Sequence, residues 1–292
     1  MHHVIASFDY RIISHIFHAI SKGFTMTTVY CNDTDIVVII LAFLPMLLQA
    51  SPQIQVFIHH DSEVLNLNNM CANLGIENCR MLLFLHAFSG CDYTPSFFGV
   101  GKTKFFDEMV KNIDRYRHTF TELSLNPSNV RAEQLKVIQK FVFASYGEED
   151  FETVEDVRFD SLLYTVENSF RKWVPTSGAI MEQAKRAAYI AGHLWGRADD
   201  PRPELPPITE WGYLLTQSNI CIPRWTLDEH TGICKRLCET KCGCRGKTPC
   251  SNKKCSCSNT RCLPVLCKCK GKCEKDNPTD DEEDAADTDD DE

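Results

Sequence analysis

Nine cysteines recur at short spacings between residues 242 and 273, and they constrain the fold of this 292-residue chain more than any other feature. Thiols in C-x-C pairs suit metal coordination better than a disulfide framework. The stretch has almost no apolar periodicity, so it cannot build a hydrophobic core of its own. Three tetrahedral zinc ions have twelve ligand positions, which nine thiolates fill if three of them bridge. We expect three structural Zn²⁺ ions, with disulfides or a metallothionein-like metal store as the alternatives. The ligands would be Cys242, Cys244, Cys250, Cys255, Cys257, Cys262, Cys267, Cys269 and Cys273.

The charge is distributed very unevenly around this cysteine run. Residues 235–275 carry twelve Lys and Arg against two Glu, whereas residues 276–292 carry eleven acidic residues and no basic one. Because basic residues outweigh the charge of a zinc-thiolate cluster, a cationic surface is predicted, and such a surface attracts nucleic-acid phosphates. The acidic tail is predicted to be disordered by its composition.

The cysteine pattern resembles the tesmin-type CXC domain. Members of that family bind DNA, partly through a Tyr placed just before the second C-x-C pair, and this sequence has Lys254 at that place. The resemblance implies a zinc-dependent DNA-binding module over residues 234–275, in which Lys253 and Lys254 would contact the phosphates of DNA.

The preceding body of the chain alternates helical and β-type patterns. Apolar residues at helical spacing predict a helix over 9–22, and β-rich segments predict strands at 27–31 and 54–58 on either side of a buried apolar segment, 36–48. This order predicts an α/β fold with a parallel sheet. Further helices are predicted at 62–74, 77–89, 102–112, 132–146, 160–172 and 178–195, and a glycine- and proline-rich hairpin at 90–101.

Acidic residues occur where the carboxyl edge of this sheet would lie. Asp33 and Asp35 follow the first predicted strand directly, and open α/β sheets keep their sites at that edge. Asp92 lies in the run Gly90-Cys91-Asp92-Tyr93, just after a predicted helix. Clustered carboxylates can hold Mg²⁺ or Mn²⁺, whereas an acid at a strand end often only caps a helix.

A glycine-rich turn opens the helix predicted at 102–112. Gly99 and Gly101 precede this helix, and Lys102 and Lys104 lie in its first turn. Exposed backbone N–H groups at such a helix start can hold a phosphate. We therefore predict contacts between these four residues and a phosphate.

These runs together resemble the flap endonuclease/XPG-type nucleases of the PIN-like superfamily, with a D-x-D strand end followed by G-[CS]-D-Y and G-x-G. The resemblance implies a Rossmann-like core whose acids hold two Mg²⁺ or Mn²⁺ ions for phosphodiester cleavage. It also implies a helix-hairpin-helix that grips duplex DNA, in which Gly99 and Gly101 form the hairpin and Lys102 and Lys104 contact the DNA backbone. Where the family carries E-x-[DE] before the D-x-D strand, this sequence has Ser7-Phe8-Asp9. The implied catalytic acids are Asp9, Asp33, Asp35 and Asp92, fewer than the family uses, so we expect an incomplete core.

The order of the parts resembles transposon-associated multi-copy proteins that pair a degenerate D-x-D/GCD core with a CXC module. It implies a mobile-element origin. Together with the cysteine module, this predicts a nuclear, zinc-dependent DNA-binding protein whose nuclease-like half contributes duplex contacts without cutting. The alternatives are a Mg²⁺- or Mn²⁺-dependent structure-specific endonuclease targeted by its CXC domain, and a chromatin or protein-interaction adaptor. The predicted parts are a partial nuclease-like core (1–112), a helical extension (113–198), a proline-rich linker (199–233), the CXC zinc domain (234–275) and the acidic tail (276–292).

Three smaller expectations concern membranes, tryptophans and histidines. The apolar run 36–48 contains Pro45 and is well short of the roughly 20 residues that span a bilayer, so we expect no membrane partner. His86 is expected to pack or cap rather than catalyse, and His59-His60-Asp61 to form a solvated turn. Core packing is expected of all four tryptophans: Trp173, Trp195, Trp211 and Trp225.

Overall fold

The computed structural model describes residues 11–164 and 173–226, except for the side chains of 162–164. The described residues form a mixed α/β structure with mostly helices and a small sheet, which confirms the predicted α/β class. They belong to one compact unit, made of Met1–Arg158 and Val166–Glu229, apart from residues 159–164. The helices are α1 (Arg11–Ser21), α2 (Thr34–Ala50), α3 (Leu67–Leu74), α4 (Leu82–Ser89), α5 (Lys102–Lys111), α6 (Ile113–Leu123), α7 (Ala132–Tyr146), α8 (Val154–Tyr164) and α9 (Ser177–Ala188), and the strands are β1 (Met26–Tyr30), β2 (Gln55–His60), β3 (Glu63–Asn66), β4 (Tyr213–Leu215) and β5 (Cys221–Pro223).

The larger sheet has the strand order β1-β2-β3. β1 pairs with β2 in parallel and sets Met26 opposite Gln55. β3 pairs with β2 in the antiparallel sense and sets Glu63 opposite His60. Helix α2 connects the two parallel strands, as a crossover helix does in a βαβ unit. The predicted parallel pair is therefore confirmed, and the apolar segment between the strands is this helix.

The chain just after β2 differs from its prediction. The pattern predicts one helix over 62–74, but Asp61 has a φ of 53° and turns the chain back so that β3 pairs with β2. Helix α3 begins only after Asn66, whose side chain accepts a hydrogen bond from the backbone N–H of Asn69. His59 and His60 lie within β2, so the predicted solvated turn is wrong for both. Cross-strand pairing outweighs the local helical pattern here.

Helix α4 lies at the centre of the described core, since all eight of its residues are buried. An apolar pattern on every side is typical of a buried helix. The ring of Phe88 lies against those of Phe84, Phe97 and Phe105, which extends the core into the segment before α5. The helix predicted at 77–89 is divided, because Ile76–Met81 forms a 3₁₀ turn before α4 begins.

The later helical predictions are confirmed to different degrees. Helix α7 has the bounds that the pattern predicts. The stretch 178–195 is α9, which continues as a π-helix over Tyr189–Leu194. Of the stretch 160–172, only the first part coincides with α8, and residues 165–172 lie outside the described residues.

Residues 199–226, inside the predicted linker, fold against the rest of the unit. They contain a two-stranded sheet, in which Tyr213 pairs with Pro223. Trp211 is buried, as Trp195 is in the preceding segment, so core packing is confirmed for both. Trp225 is 78% exposed, and the prediction of core packing is wrong for this residue.

Helix α2 is apolar and 17 residues long. No helix within residues 11–164 and 173–226 combines the length and the hydropathy that crossing a bilayer requires.

Candidate functional site

The two strand-end acids lie at the start of α2. The side chain of Asp33 accepts a hydrogen bond from the backbone N–H of Asp35 at 2.9 Å and so caps the helix. Asp35 itself lies in the first turn, where the partial positive charge of a helix start stabilises a carboxylate. The helix-capping alternative considered from the sequence is therefore realised by Asp33.

Asp35 also forms a buried contact with His86 of α4. Oδ1 of Asp35 lies 2.6 Å from Nε2 of His86, and the two side chains are only 8% and 10% exposed. The imidazole further contacts the Trp195 ring, with centroids 5.8 Å apart. The prediction that His86 packs is confirmed, and its partner is one of the predicted catalytic acids.

Lys102, at the start of α5, approaches the same ring nitrogen. Its Nζ lies 3.3 Å from Nε2 of His86. One ring nitrogen can donate through an N–H or accept through a lone pair, but it cannot do both. Because the contact with Asp35 is the shorter, we assign the proton to Nε2, which donates it to the carboxylate. The ammonium of Lys102 then gains no acceptor from this ring.

The turn between α4 and α5 is held in a conformation that only glycine adopts readily. Gly90 has a φ of +119°, and a Cβ at this position would lie 2.8 Å from Cα of Ser96. Cys91 and Thr94 form a β-bridge just after it. The exposed side chain of Asp92 therefore lies at the tip of a tightly closed turn.

Two more distant elements fix the same turn. The side-chain amide of Gln183, on α9, donates to the carbonyls of Phe88 and Pro95 at 3.0 and 2.8 Å. The hydroxyl of Tyr213, on β4, donates to the carbonyl of Tyr93 at 3.0 Å. Side-chain hydrogen bonds from two elements, one of them buried and two partly buried, thus anchor the turn that carries Asp92.

The start of α5 is exposed and basic. Gly101 occupies the N-cap position and provides no side-chain cap, and the first turn contains no acidic residue. Gly99 has a φ of +78°. Gly99, Gly101, Lys102 and Lys104 are all exposed. Two exposed lysines beside a helix start without a side-chain cap make this a place that attracts anions.

The structure brings only some of the predicted site residues together. Asp33 and Asp35 share the start of α2, and the charge of Asp35 reaches the thiol of Cys91, next to Asp92. Burial, more than this charge, raises the pKa of Cys91 above its ordinary value. Within the described parts of the chain, no group of three or more His, Cys, Asp and Glu side chains could hold a metal ion.

The remaining predicted site residues lie outside the described residues. These are Asp9, Lys253, Lys254 and the nine cysteines of the predicted zinc domain. The Zn²⁺ and Mg²⁺ or Mn²⁺ sites therefore stay predictions.

The contact between Asp35 and His86 is not among the predictions from the sequence. A signal for it exists, because His86 is the one ionisable residue in the otherwise apolar stretch of α4, and Asp35 directly precedes an apolar run. Ionisable residues that lie in buried apolar segments need hydrogen-bond partners. Asp35 and His86 are therefore candidates for pairing with each other.

Comparisons with protein-family models, with curated proteins and with solved structures gave no match for this chain.

Proposed function

We propose that this is a nuclear, mobile-element-derived, zinc-dependent DNA-binding protein whose nuclease-like part contributes DNA contacts without cutting. One observation carries the proposal: nine cysteines at metal-ligand spacing are surrounded by twelve Lys and Arg within residues 235–275. Zinc would fold this module, and its positive charge would bind phosphates.

The start of α5 supports a second phosphate contact. Lys102 and Lys104 are exposed there, beside an N-terminus that no side chain caps. A DNA backbone bound at this point would gain from the lysine charges and from the backbone N–H groups. The contact would be insensitive to base sequence.

The environment of Asp35 argues against cleavage as the main activity. Two-metal hydrolysis needs several carboxylates that are free to coordinate both ions. The carboxylate of Asp35 is nearly buried and hydrogen-bonded to His86, while that of Asp33 accepts a backbone N–H. Metal binding at this place would have to break one or both of these contacts.

One observation favours an endonuclease as the second candidate. Besides burial, the carboxylate of Asp35 contributes to raising the pKa of Cys91, the neighbour of Asp92. Asp33, Asp35 and Asp92 do not form a metal-binding group among the described residues, so an ion would have to draw the turn of Asp92 and the strand-end acids together. This candidate requires Mg²⁺ or Mn²⁺ and predicts cleavage.

A combined binding and cleavage assay separates the two candidates. Zinc-loaded full-length protein is mixed with labelled duplex, flap and single-stranded DNA, in Mg²⁺ or Mn²⁺ and again with a chelator too weak to remove zinc. We expect salt-sensitive binding without cleavage. The pair Lys253→Ala and Lys254→Ala should weaken binding and make its salt dependence shallower.

Matched variants give the controls. Lys102→Ala with Lys104→Ala should weaken binding, whereas Lys22→Ala, which removes an exposed lysine at the end of α1, should not. Metal-dependent cleavage that disappears in the Asp33→Ala, Asp35→Ala pair would overturn the proposal in favour of the endonuclease. Binding without any salt dependence would instead support the adaptor.

A further inference from the structure

A cavity of about 400 Å³ is bounded by α2, β2, β3, α3, α4 and the start of α5. This volume lies within the range of sites that take small molecules, roughly 300–1,000 Å³. Most of its lining is apolar, as the walls formed by Val38, Leu41, Leu65, Leu85 and Phe106 illustrate. Phe106 is 42% exposed at this surface, so part of the apolar wall is open to solvent.

Lys102 supplies a positive charge to this lining. In the part of the chain that the structure describes, no carboxylate forms an ion pair with Lys102. Its near neighbour His86 is committed to Asp35 as a donor, as the shorter of the two contacts indicates. The ammonium is therefore available to an anion that enters the cavity.

His60 contributes to the lining a second polar group that lacks a partner. It follows Val56 and Ile58 on the same face of β2, because side chains alternate along a strand, and it lines the cavity. Its Nε2 atom is buried and has no hydrogen-bond partner. A buried polar atom without a partner costs about 1–3 kcal/mol, so a ligand atom at this position would be stabilising.

The charges of the lining limit the chemistry of the ligand. Lys102 provides the one ammonium of the lining, and Glu63, set opposite His60 in the sheet, adds a negative charge. A phosphate with two negative charges would find only one positive charge and few hydrogen-bond donors in this lining. A carboxylate carries a single negative charge, which one ammonium can balance. The large apolar area favours a ligand with a hydrocarbon body.

We propose that the cavity binds a small amphipathic carboxylate. Its hydrocarbon chain would lie against the apolar walls, and its carboxylate would pair with the ammonium of Lys102. This proposal rests on the cavity alone and does not depend on DNA binding.

Calorimetric titration of the zinc-loaded full-length protein with decanoate tests the proposal, with decanol as the uncharged probe and both kept below micelle formation. We expect saturable binding of one decanoate, with a dissociation constant about tenfold lower than that of decanol. Lys102→Met should remove this tenfold preference and leave the affinity for decanol unchanged. The substitution is at an exposed position in a first helical turn, so the fold should tolerate it.

Two further variants sharpen the result. Lys104→Met removes an exposed lysine of the same helix turn that does not line the cavity, and it should change neither affinity. Val38→Phe should fill the cavity and weaken both probes, with circular dichroism confirming the fold. Absence of saturable binding, equal affinity for both probes, or an unchanged preference in Lys102→Met would each overturn the proposal.

Discussion

Nε2 of His86 lies 2.6 Å from Oδ1 of Asp35, and this buried hydrogen bond joins α4 to the start of α2. The two residues are 51 positions apart in the chain, so the contact forms only when the core assembles. A carboxylate with such low exposure needs a donor, because an unpaired buried charge is strongly destabilising.

Replacing His86 tests the energetic contribution of this hydrogen bond. We expect His86→Leu to lower the free energy of unfolding by about 1.5–3 kcal/mol, since it leaves the carboxylate of Asp35 without its donor. His86→Gln keeps an amide donor and should cost less. Urea unfolding followed by circular dichroism measures both variants.

A double-mutant cycle provides the control for lost packing. In an Asp35→Asn background the buried charge is absent, so His86→Leu should cost less than in the unmodified chain. An equal cost in both backgrounds would mean that His86 contributes through packing and not through the hydrogen bond.

The parts of this structure that sequence patterns predict are those fixed by local periodicity. Helix α7 follows from its apolar spacing, and the parallel pair of β1 and β2 follows from two β-rich segments on either side of a buried apolar run. Strand β3 does not, because its pairing with β2 outweighs a local pattern that also suits a helix. Trp225 shows the same limit, since nothing in its neighbourhood distinguishes an exposed aromatic residue from a buried one.

The candidate site shows the same division. The sequence locates Asp33 and Asp35 at the end of β1, and it includes helix capping among their roles. The contact with His86 and the cavity beside Lys102 depend on how α2, α4 and α5 pack. Contacts between elements that are distant in the chain have no local periodicity to reveal them.

Gly90 provides a test of the turn that carries Asp92. Gly90→Ala places a Cβ 2.8 Å from backbone Cα of Ser96, at a φ of +119° that L-residues rarely adopt. We expect a loss of about 3 kcal/mol, from strained backbone together with the displaced neighbour. The midpoint of urea unfolding reports this loss.

Gly147, at the end of α7, is the matched control. It also has a positive φ, +86°, but a Cβ there would meet nothing within 4 Å. Gly147→Ala should cost only about 1 kcal/mol, which is the conformational penalty alone. Similar losses in the two variants would show that the closure against Ser96 is not tight in solution.

Removing zinc tests the predicted independence of the cysteine module. We expect a strong zinc chelator to unfold residues 234–275, since metal binding supplies folding free energy on the order of 10 kcal/mol in such modules. The helical circular dichroism signal of residues 1–198 should stay nearly intact, and limited proteolysis with mass spectrometry should locate new cleavage in the cysteine module. Concerted loss of the helical signal would instead indicate one interdependent folding unit.

His193, in the π-helical turn after α9, should make stability depend on pH. Burial lowers the pKa of this imidazole, the charge of Arg197 lowers it further, and the backbone of Pro127 opposes the shift. In the unfolded chain the ring titrates near its ordinary value of 6.5. Above that pH both states are neutral and the group does not affect stability. As the pH falls below it, the unfolded state binds a proton that the folded state does not, so stability decreases by at most about 1.4 kcal/mol per pH unit.

Stability should therefore decrease less steeply with falling pH in the His193→Gln variant than in the unmodified chain. The difference should appear between neutral pH and the lowered pKa of His193 in the folded protein. The stability of this variant at neutral pH does not affect the test. Only the slope of stability against pH reports the titration of His193. Urea unfolding at a series of pH values measures both proteins. If His193→Gln and the unmodified chain lose stability in parallel, the acid sensitivity arises from other groups.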